Sequence, residues 1–376
     1  MAQETPTVPE QQHHWSQTRG LEQVASPGIL INVDRVRENL DAMVAMVDGD
    51  TARLRPHVKT HKMPSLVQMQ IERGIDKFKA ATIVEAAMVA DNGGKDVLLA
   101  YQPVGPNQTR LLKLVTRHPN TSFAAIVDDA QIASALSDVF SAAGATLRLF
   151  IDVDCGMHRT GIPLGAGLQN LRGHLESLPA IEYAGLHVYD GHLHQPSLKE
   201  RQESASSILS TIADYDSADP SPTIIGGGSP TFSYWAEHSN YECSPGTTVF
   251  WDGGYGGNYR DLPFSIAVAI VTRVISKPGG NRLCLDLGYK AVASEMPLDS
   301  RVAIPEIPDA TLLGHSEEHL VLETSSADTI PVGATFLAFP RHVCPTIALH
   351  DYVTVIRDDR VTDELWPVTA RGRQFH

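Results

Sequence analysis

The segment Leu54-Arg55-Pro56-His57-Val58-Lys59-Thr60-His61-Lys62 carries a lysine at the end of a short run of alternating apolar residues. This alternation predicts a strand over residues 53–58, after which Lys59 begins a loop. A lysine in that place can reach into a pocket and act there as a nucleophile or base. The alternative is a solvated lysine on a loop, where most lysines lie. The pattern of the surrounding chain favours the first interpretation.

From the strand that carries Lys59 onward, predicted strands and helices alternate along the chain. The predicted strands cover residues 53–58, 77–81, 96–101, 122–127, 146–152, 182–189, 223–226 and 247–251. The predicted helices cover residues 63–73, 83–92, 107–117, 130–143, 168–177 and 200–215. Eight such units predict a parallel sheet that closes into a (β/α)8 barrel. An open doubly wound sheet is the alternative, but the glycine-rich loop expected after its first strand is missing from residues 59–62.

The regions that flank the barrel differ from it in composition. Residues 1–26 are polar and predict a loose N-terminal arm, which is neither a signal peptide nor a membrane anchor. A strand over 28–32 and a helix over 35–47, capped by Asp34, then open a barrel domain predicted at residues 27–261. Beyond residue 262 short β-like runs appear, at 265–275, 282–287, 320–323, 335–339 and 352–357. The sequence therefore predicts an α/β fold with a second, mostly β domain at residues 262–376.

Composition narrows the class of protein. Hydrophobic residues make up 42% of the chain, so a sizeable core is available. The net charge of −14, without a basic block, argues against nucleic acid and anionic membranes as partners. Apolar runs are all shorter than the roughly 18 residues that a spanning helix needs. Four widely spaced cysteines suit a reducing compartment, and we expect a soluble, cytoplasmic protein.

Polar and titratable residues follow the predicted strands, at the end where a barrel carries its chemistry. They are Lys59, His61, Tyr101, Gln102, Asp152, Asp154, His158, Arg159, His187, Tyr189, Asp190, His192, His194, Trp251, Asp252 and Tyr255. We expect the opposite ends of the strands to carry few such residues. This asymmetry predicts an active site at the carboxyl ends of the strands.

A glycine-rich loop, Gly226-Gly227-Gly228-Ser229-Pro230-Thr231, follows the seventh predicted strand. Its backbone N–H groups and hydroxyls can hold a phosphate, and barrels often bind phosphate after strands seven and eight. A second glycine-rich loop at 253–257 can complete this site. The alternative is an ordinary flexible turn. A lysine that faces a phosphate site across a barrel mouth suggests pyridoxal phosphate (PLP) held as a Schiff base.

A further pair of residues, His342 and Cys344, lies in the C-terminal region. On an extended segment two residues that are two positions apart point to the same side. Imidazole and thiolate are good ligands for zinc or another divalent transition ion, with water and substrate in the remaining positions. The alternative is a buried cysteine beside an unrelated histidine.

Five motifs, in order along the chain, resemble those of the metal-activated D-threonine aldolases and D-serine dehydratases. The family belongs to the fold-type III, alanine racemase-like PLP enzymes, and the resemblance runs from about residue 28 to 357. The motifs are Pro56-His57-Val58-Lys59-Thr60-His61-Lys62, Asp152-Val153-Asp154-Cys155-Gly156-Met157-His158-Arg159-Thr160-Gly161, Gly226-Gly227-Gly228-Ser229-Pro230-Thr231, Glu242-Cys243-Ser244-Pro245-Gly246-Thr247 and His342-Val343-Cys344-Pro345.

The resemblance implies a role for each matched residue and usually a homodimer. Lys59 is implied as the Schiff-base lysine, and Arg159 and Tyr189 as residues that line the cofactor and the substrate carboxylate. The implied phosphate contacts are Gly227, Gly228, Ser229 and Tyr255, and the implied metal ligands are His342 and Cys344. The arginine that faces the pyridine nitrogen in alanine racemases has no evident counterpart in residues 242–245, which disfavours racemisation.

The function that the resemblance implies is D-threonine aldolase activity, the cleavage of D-β-hydroxy-α-amino acids to glycine and an aldehyde. His194 is the expected base, Lys59 is the alternative base, and His61 is expected only to support its neighbours. A dehydratase acting on D-serine or D-threo-3-hydroxyaspartate is the second hypothesis, and a non-catalytic PLP-binding protein is the third. The His342 and Cys344 ligands favour zinc, whereas aldolases of this family are often activated by manganese, cobalt or magnesium, so the metal stays open.

Overall fold

The computed structural model describes residues 15–216 and 222–375, so part of the predicted arm, residues 1–14, lies outside the described chain. The described strands, in chain order, are β1 Gly28–Asn32, β2 Lys77–Ala80, β3 Asp96–Leu99, β4 Ser122–Val127, β5 Leu147–Asp154, β6 Ile162–Pro163, β7 Ile181–Val188, β8 Thr223–Gly226, β9 Glu242–Cys243, β10 Val268–Gly279, β11 Arg282–Leu285, β12 Val302–Ala303, β13 Thr311–His315, β14 Leu320–Glu323, β15 Thr335–Pro340, β16 Tyr352–Arg357 and β17 Arg360–Pro367.

The described α-helices are α1 Val33–Ala45, α2 Pro64–Ile71, α3 Ile83–Asp91, α4 Pro106–Arg117, α5 Ala130–Ser141, α6 Ala166–Ser177, α7 Leu198–Asp216, α8 Phe232–His238, α9 Gly253–Asn258 and α10 Val343–Ile347. Short 3-10 helices cover Leu21–Gln23, Thr51–Arg53, Val58–Thr60, Thr247–Val249, Leu298–Ser300 and Thr369–Arg371. Among the described residues, none of the helices combines the length and the hydrophobicity needed to cross a lipid bilayer.

Two compact units make up the chain. The barrel unit comprises Met43–Lys59, Pro64–Gly246 and the residues from Gly372 onward. The sheet unit comprises the residues up to Ala42, Thr60–Met63 and Thr247–Arg371. The two units therefore interleave in sequence, whereas the predicted domains at 27–261 and 262–376 are consecutive.

The barrel unit is built on a parallel sheet in the order β2-β3-β4-β5-β7-β8-β9, with β6 beside β5. Most residues of its strands are buried, as expected for parallel strands covered by helices, although β2 carries Lys77 and Lys79 on one face. A core cluster joins side chains from strands as far apart in the sheet as β3 and β8, namely Leu98, Ala124, Ile126, Phe150 and Ile225. The sheet must curl for these residues to meet, and they fill the interior of a barrel.

The segment from Leu54 to His57 closes this barrel. Leu54 pairs with Cys243 of β9 on one side, and His57 pairs with Lys79 of β2 on the other. The segment makes isolated bridges rather than the predicted continuous strand over 53–58, which is wrong in this respect. Pro56 supplies the physical reason, because it has no N–H to donate to the ladder, although its carbonyl accepts from the N–H of Lys79 at 2.9 Å.

Two further local predictions are wrong. Residues 247–251 were expected to form the eighth strand, but Thr247–Val249 is a 3-10 helix and the last barrel strand is β9. Local bonds from the N–H groups of Phe250 and Trp251 to the Thr247 carbonyl satisfy that backbone without a ladder partner. The helix predicted at 35–47 starts earlier, as α1, and Asn32 rather than Asp34 accepts from the Arg35 N–H, at 3.2 Å.

Helix starts in the barrel unit follow from short polar side chains. The Thr82 hydroxyl accepts from the Glu85 N–H at 3.1 Å, and the Glu85 carboxylate accepts from the Ala81 N–H at 2.6 Å. This reciprocal arrangement resembles a capping box and fixes the start of α3. Asp129 caps α5 by accepting from the N–H groups of Gln131 and Ile132. Such caps explain why most predicted helices lie within a few residues of the observed ones.

The sheet unit contains a mostly antiparallel sheet in the order β13-β14-β11-β10-β1-β16-β17, with β15 beside β10 and β12. The predicted strand at 28–32 is confirmed as β1, and it lies between β10 and β16 in this sheet. The predicted fold class is confirmed: an α/β chain with a (β/α)8-type barrel and a second, mostly β part.

Candidate active site

A cavity of about 630 Å³ opens in the barrel unit at the carboxyl ends of its strands. Residues from the ends of β2, β4, β5 and β7 line it together with residues of the following loops. Its polar lining includes Lys59, Lys79, Asp152, Arg159, His187 and Tyr189. The predicted location of the site within the barrel therefore agrees with the geometry.

Three cationic groups surround the aromatic ring of Tyr189 in this cavity. The Nζ of Lys59 lies 5.7 Å from the ring centroid, the Nζ of Lys79 5.3 Å, and the Cζ of Arg159 5.0 Å. Cations at such distances are attracted by the ring quadrupole. Of the predicted site residues, the structure thus brings together Lys59, Arg159 and Tyr189. The concentration of positive charge suits an anionic ligand.

Lys59 owes its position to the closing segment of the barrel. It lies in the 3-10 helix Val58–Thr60, directly after His57, and its N–H donates to the His57 Nδ1 at 3.3 Å. The side chain is half-buried and lines the cavity. A short helical turn, rather than the end of a regular strand, therefore presents this amine.

Lys79 is a site residue that the sequence analysis missed. Its side chain is only 2% exposed, and its ammonium donates to the hydroxyl of Ser244. Burial, followed by the nearby charge of Lys59, lowers the pKa of Lys79 to about 7. The available signal was the alternation in Lys77-Phe78-Lys79, which places both lysines on one face of β2.

Asp152 and His187 form a buried pair at the ends of β5 and β7. The His187 Nδ1 donates to Asp152 Oδ1 at 2.7 Å, and the Thr160 hydroxyl donates to Asp152 Oδ2 at 2.8 Å. Burial lowers the pKa of His187. Burial alone would raise the pKa of Asp152, but the interactions with His187, Thr160 and Arg159 together outweigh it and keep this pKa below its ordinary value. The pair is therefore a carboxylate beside a neutral imidazole at neutral pH.

This pairing fixes the tautomer of His187. Nδ1 carries the proton, which it donates in the hydrogen bond to Asp152. In the neutral ring Nε2 therefore holds a lone pair. Within the described residues this Nε2 is buried and has no hydrogen-bond partner. A buried acceptor without a partner, in the lining of a cavity, is a ready contact for a ligand.

Asp190 organises the glycine-rich loop that follows β8. Its carboxylate accepts from the Gly228 N–H at 2.7 Å, the Thr231 hydroxyl at 2.6 Å and the Trp235 indole N–H at 2.9 Å. The N–H of Gly228 and the hydroxyl of Thr231 therefore bond to Asp190, and the expected contact of this loop with a phosphate stays a prediction. Asp190 was noted in the sequence only as one of many polar residues after a strand.

Glycine is required at the centre of this loop. Gly227 has a φ of +68°, and a Cβ there would lie 2.9 Å from the Trp235 ring. The hydroxyl of Ser229, the third residue of the predicted phosphate site, accepts from the Gly246 N–H at 3.1 Å. The loop is thus a buried, tightly packed turn.

Three further predicted residues, Tyr255, His342 and Cys344, lie in the sheet unit. Tyr255 is in α9, where the Asp252 carboxylate accepts from its N–H at 2.9 Å, and its ring packs on Trp251 with centroids 5.2 Å apart. Residues 253–257 thus form a short helix rather than the predicted loop, because Asp252 caps them. The second carboxylate oxygen of Asp252 accepts from the Val343 N–H at 2.8 Å, which ties α9 to α10.

His342 and Cys344 are in contact, although the segment is not extended. His342 precedes α10 and Cys344 lies in its first turn. The hydrogen bond between the two side chains is the main cause that raises the pKa of His342 to about 9. The His342 Nδ1 also lies 2.5 Å from Glu295 Oε1, and the Cys344 Sγ lies 3.3 Å from the hydroxyl of Thr60, the residue after Lys59.

This pair supplies two of the ligands that a metal needs. Within the described part of the chain, no cluster of three or more His, Cys, Asp or Glu side chains forms a complete metal-binding set. An imidazole and a thiol in contact fit a metal ion whose other positions are filled by water or substrate. Since the ligands must lose their protons, such an ion competes with the proton on His342.

His194 and His61 differ in exposure. His194 is exposed in the loop after β7 and is not part of the cavity lining. His61 is fully buried in the sheet unit, accepts from the Met63 N–H at 3.1 Å, and burial lowers its pKa to about 3. His61 is therefore neutral, and the expected role of His194 as a base stays a prediction.

Comparisons with known proteins agree with this geometry. Residues 31–252 match the alanine racemase N-terminal domain, and residues 267–356 match a putative serine dehydratase domain. The D-threonine aldolase of Arthrobacter sp. is 31% identical, over 94% of this chain and 94% of its own length. The D-threo-3-hydroxyaspartate dehydratase of Delftia sp. is 25% identical, over 85% of this chain and 91% of its own.

A solved structure gives the same result. The crystal structure of D-threonine aldolase from Filomicrobium marinum superposes with a TM-score of 0.84 at 27% identity, covering 94% of this chain and 97% of that one. Barrel, cavity and second sheet together define an alanine racemase-like protein. Within that class, the chain belongs to the family of D-threonine aldolases and D-serine dehydratases.

Membership implies PLP as the cofactor, and the residues present fit it. The cavity offers a half-buried amine at Lys59, cationic groups at the Tyr189 ring, and an imidazole acceptor at His187. These groups suit an aldehyde, a phosphate-bearing anion and a polar aromatic ring.

Proposed function

We propose that this protein is a PLP- and divalent-metal-dependent D-threonine aldolase, a carbon–carbon lyase. It cleaves D-threonine and other D-β-hydroxy-α-amino acids to glycine and an aldehyde. The observation that carries the proposal is the cavity in which Lys59 and Arg159 flank the Tyr189 ring. The overall identity to an aldolase over nearly the whole chain supports the choice of reaction.

Each protein group has a defined task in this proposal. Lys59 would hold the cofactor through its amine. When bound, PLP supplies an electron sink for the bond that breaks at the substrate Cα. Arg159 binds the substrate carboxylate, for which a guanidinium is suited. Tyr189 lies between the cationic groups as the flat surface against which an aromatic ring packs.

Proton transfer is assigned to histidine. His194 takes the proton of the β-hydroxyl, with Lys59 as the alternative base once its amine is free. The neutral His187, held by Asp152, offers Nε2 as an acceptor inside the cavity. Asp190 keeps Gly227, Gly228 and Ser229 in place for the phosphate, and Tyr255 is the further phosphate contact proposed.

His342 and Cys344 would hold the metal, and Glu295 orients His342 through its Nδ1. A divalent ion at these ligands supplies Lewis acidity, which makes a hydroxyl easier to deprotonate. Cys344 contacts Thr60, the residue that follows Lys59 in the sequence, and this contact supports a metal site at these two ligands. Zinc, manganese, cobalt and magnesium are the candidate ions.

A dehydratase acting on D-serine or D-threo-3-hydroxyaspartate is the second candidate. Its support is the serine dehydratase model that matches residues 267–356 and the Delftia relative. The same lysine would then remove the α-proton while the β-hydroxyl leaves. A homodimer in the cytoplasm and the domain limits 27–261 and 262–376 are also part of the proposal.

Product analysis separates the candidates. Purified protein with PLP and Mn²⁺ is incubated with D-threonine or D-serine, with and without EDTA, and glycine, acetaldehyde, 2-oxobutanoate and pyruvate are assayed. Glycine and acetaldehyde that disappear with EDTA are expected. Oxo acids instead would make the protein a dehydratase, and no product from either substrate would favour a non-catalytic PLP-binding protein.

The attachment point has its own test. Borohydride reduction of the loaded protein, followed by peptide mapping, should place the pyridoxyl group on Lys59. The Lys59→Ala variant should lose both the reducible absorbance band and all measurable turnover. A label on Lys79 in the wild-type protein would contradict the proposal.

A further inference from the structure

Two lysines on the same face of β2 meet different partners. Lys77 Nζ lies 2.5 Å from the Glu242 carboxylate, so its charge is balanced. Two residues further on, Lys79 meets Ser244, which lies two residues after Glu242. Along β2, Lys77 is therefore paired with the carboxylate of Glu242, and Lys79 with the hydroxyl of Ser244.

The hydroxyl of Ser244 is a weak partner for a buried ammonium. It lies 3.4 Å from the Gly226 carbonyl, to which it can donate, so its lone pairs serve Lys79. Within residues 15–216 and 222–375, Ser244 is the hydrogen-bond partner that the structure gives to Lys79 Nζ. A buried ammonium normally has a carboxylate or several acceptors around it, because desolvation of its charge is costly.

We propose that Lys79 is a second functional amine of the cavity, the proton-bearing group that sets the charge felt by the ring of the cofactor bound to Lys59. The proposal rests on the proposed function, because it takes PLP at Lys59 as given. It assigns Lys79 a ligand-facing role that Lys77 lacks. Lys77 is outside the cavity lining, whereas Lys79 is part of it.

Charged side chains from several elements of the barrel surround the ammonium of Lys79. Lys59, from the closing segment, and Arg159, from the loop after β5, oppose a positive charge on Lys79. Asp152 at the end of β5 and Asp190 after β7 favour that charge. His187 is neutral and adds no charge of its own at neutral pH.

These opposed influences poise Lys79 between its two protonation states. Burial and Lys59 bring the pKa of Lys79 to about 7 in the protein alone. An anionic cofactor in the cavity stabilises the ammonium and moves this value upward. The amine is therefore protonated below its shifted pKa, and it loses its charge as the pH rises through that value.

The test uses the absorbance of the bound cofactor, which reports the charge near its ring independently of turnover. Wild-type protein, Lys79→Met, Lys79→Gln, Lys79→Arg and the matched control Lys77→Met are loaded with PLP and titrated from pH 5.5 to 9.5. Circular dichroism checks that each variant folds, and reduction with peptide mapping checks that the cofactor is on Lys59.

The neutral and the cationic replacements should act in opposite directions. The wild-type protein should show a spectral transition at or above pH 7. Lys79→Met and Lys79→Gln should keep the high-pH spectrum throughout, and Lys79→Arg should keep the low-pH spectrum, since arginine stays charged. Lys77→Met should titrate like the wild type.

Two failures can be told apart. A wild-type protein without a reducible cofactor band would overturn the proposed function, and this inference with it. A normal band that titrates identically in all variants, or that the neutral and cationic replacements shift in the same direction, would overturn this inference alone.

Discussion

The two ends of the barrel treat buried charge in opposite ways. At the amino ends of the strands, Arg55 is 1% exposed and lies 2.6 Å from Glu242 and 2.7 Å from Asp96. Lys77 shares Glu242, and Arg148 shares Asp96 at 2.9 Å, so each of these five charged groups has a partner of opposite sign. At the carboxyl ends, Lys79 has a hydroxyl partner and His187 keeps an open nitrogen.

Arg55 and its partners therefore stabilise the fold, whereas Lys79 and His187 are groups that a ligand can use. A buried ion pair is costly to break, because the partner that remains is then buried alone. Groups with perturbed pKa values and incomplete pairing instead collect at functional sites. Distance to an opposite charge therefore distinguishes Lys77 from Lys79 where residue type and strand position do not.

The largest expected effect comes from breaking the balanced end. Arg55→Met leaves Glu242 and Asp96 with one cation each, and should lower the free energy of unfolding by about 3–5 kcal/mol. Urea unfolding, followed by circular dichroism, measures the loss. In protein that remains folded, the absorbance of the bound cofactor should be unchanged. A stability within about 1 kcal/mol of the wild type would contradict this role of the ion pairs.

A smaller effect is expected at the carboxyl end. Asp190→Asn replaces one of the two acceptor oxygens by an amide N–H₂, which then faces either the Gly228 N–H or the donors of Thr231 and Trp235, and this loosens the glycine-rich loop. Because hydrogen bonds to a charged group contribute about 1.5–3 kcal/mol, we expect PLP to bind about 30-fold more weakly. Thr231→Val, which removes one of the three donors, should have a smaller effect. Equal cofactor affinity in Asp190→Asn, from an absorbance titration, would exclude Asp190 as the residue that orders the loop.

The smallest expected effect is a decrease at low pH in the stability that Asp96 contributes. Burial alone would raise the pKa of Asp96, but Arg55 and Arg148 outweigh it and hold this pKa below its ordinary value. A depressed carboxyl pKa gives stability that is present above the unfolded value of about 3.9 and is lost as the pH falls below it. The gap in unfolding free energy between the wild type and Asp96→Asn should therefore be constant near neutrality and shrink below about pH 4. A gap that is the same at pH 3 and pH 7 would refute this account. The absorbance change assigned to Lys79, by contrast, should occur at or above neutral pH.

Sequence reasoning located most of the barrel because its signals are local. The local pattern predicts the strands β2, β3, β4, β5, β7 and β8, and caps such as Thr82 and Asp129 mark helices between them. The first and last strands were misplaced, since the segment from Leu54 to His57 and the strand β9 are short and depend on each other for pairing. Such dependence joins residues far apart in sequence and leaves little local pattern.

The candidate site was predictable where a motif carries it. Lys59, Arg159 and Tyr189 lie in the cavity as expected, because each occurs in a distinctive segment. Lys79 was missed because a lysine in a short strand is ordinarily exposed, and only its burial beside Ser244 reveals it. The amino ends of the strands were expected to carry few titratable residues, which is wrong, since Arg55 and its partners meet only in three dimensions.

The closure of the barrel has a consequence for the order of folding. Leu54, near the start of the barrel unit, pairs with Cys243, near its end, and the His57 N–H donates to the Pro245 carbonyl. Contacts between such distant residues cost loop-closure entropy and tend to form late. A nascent chain cannot complete the seam until residue 245 has been synthesised. We therefore expect the amine of Lys59, which follows this seam directly, to gain its fixed surroundings late in folding, and the cofactor to bind after the barrel has closed.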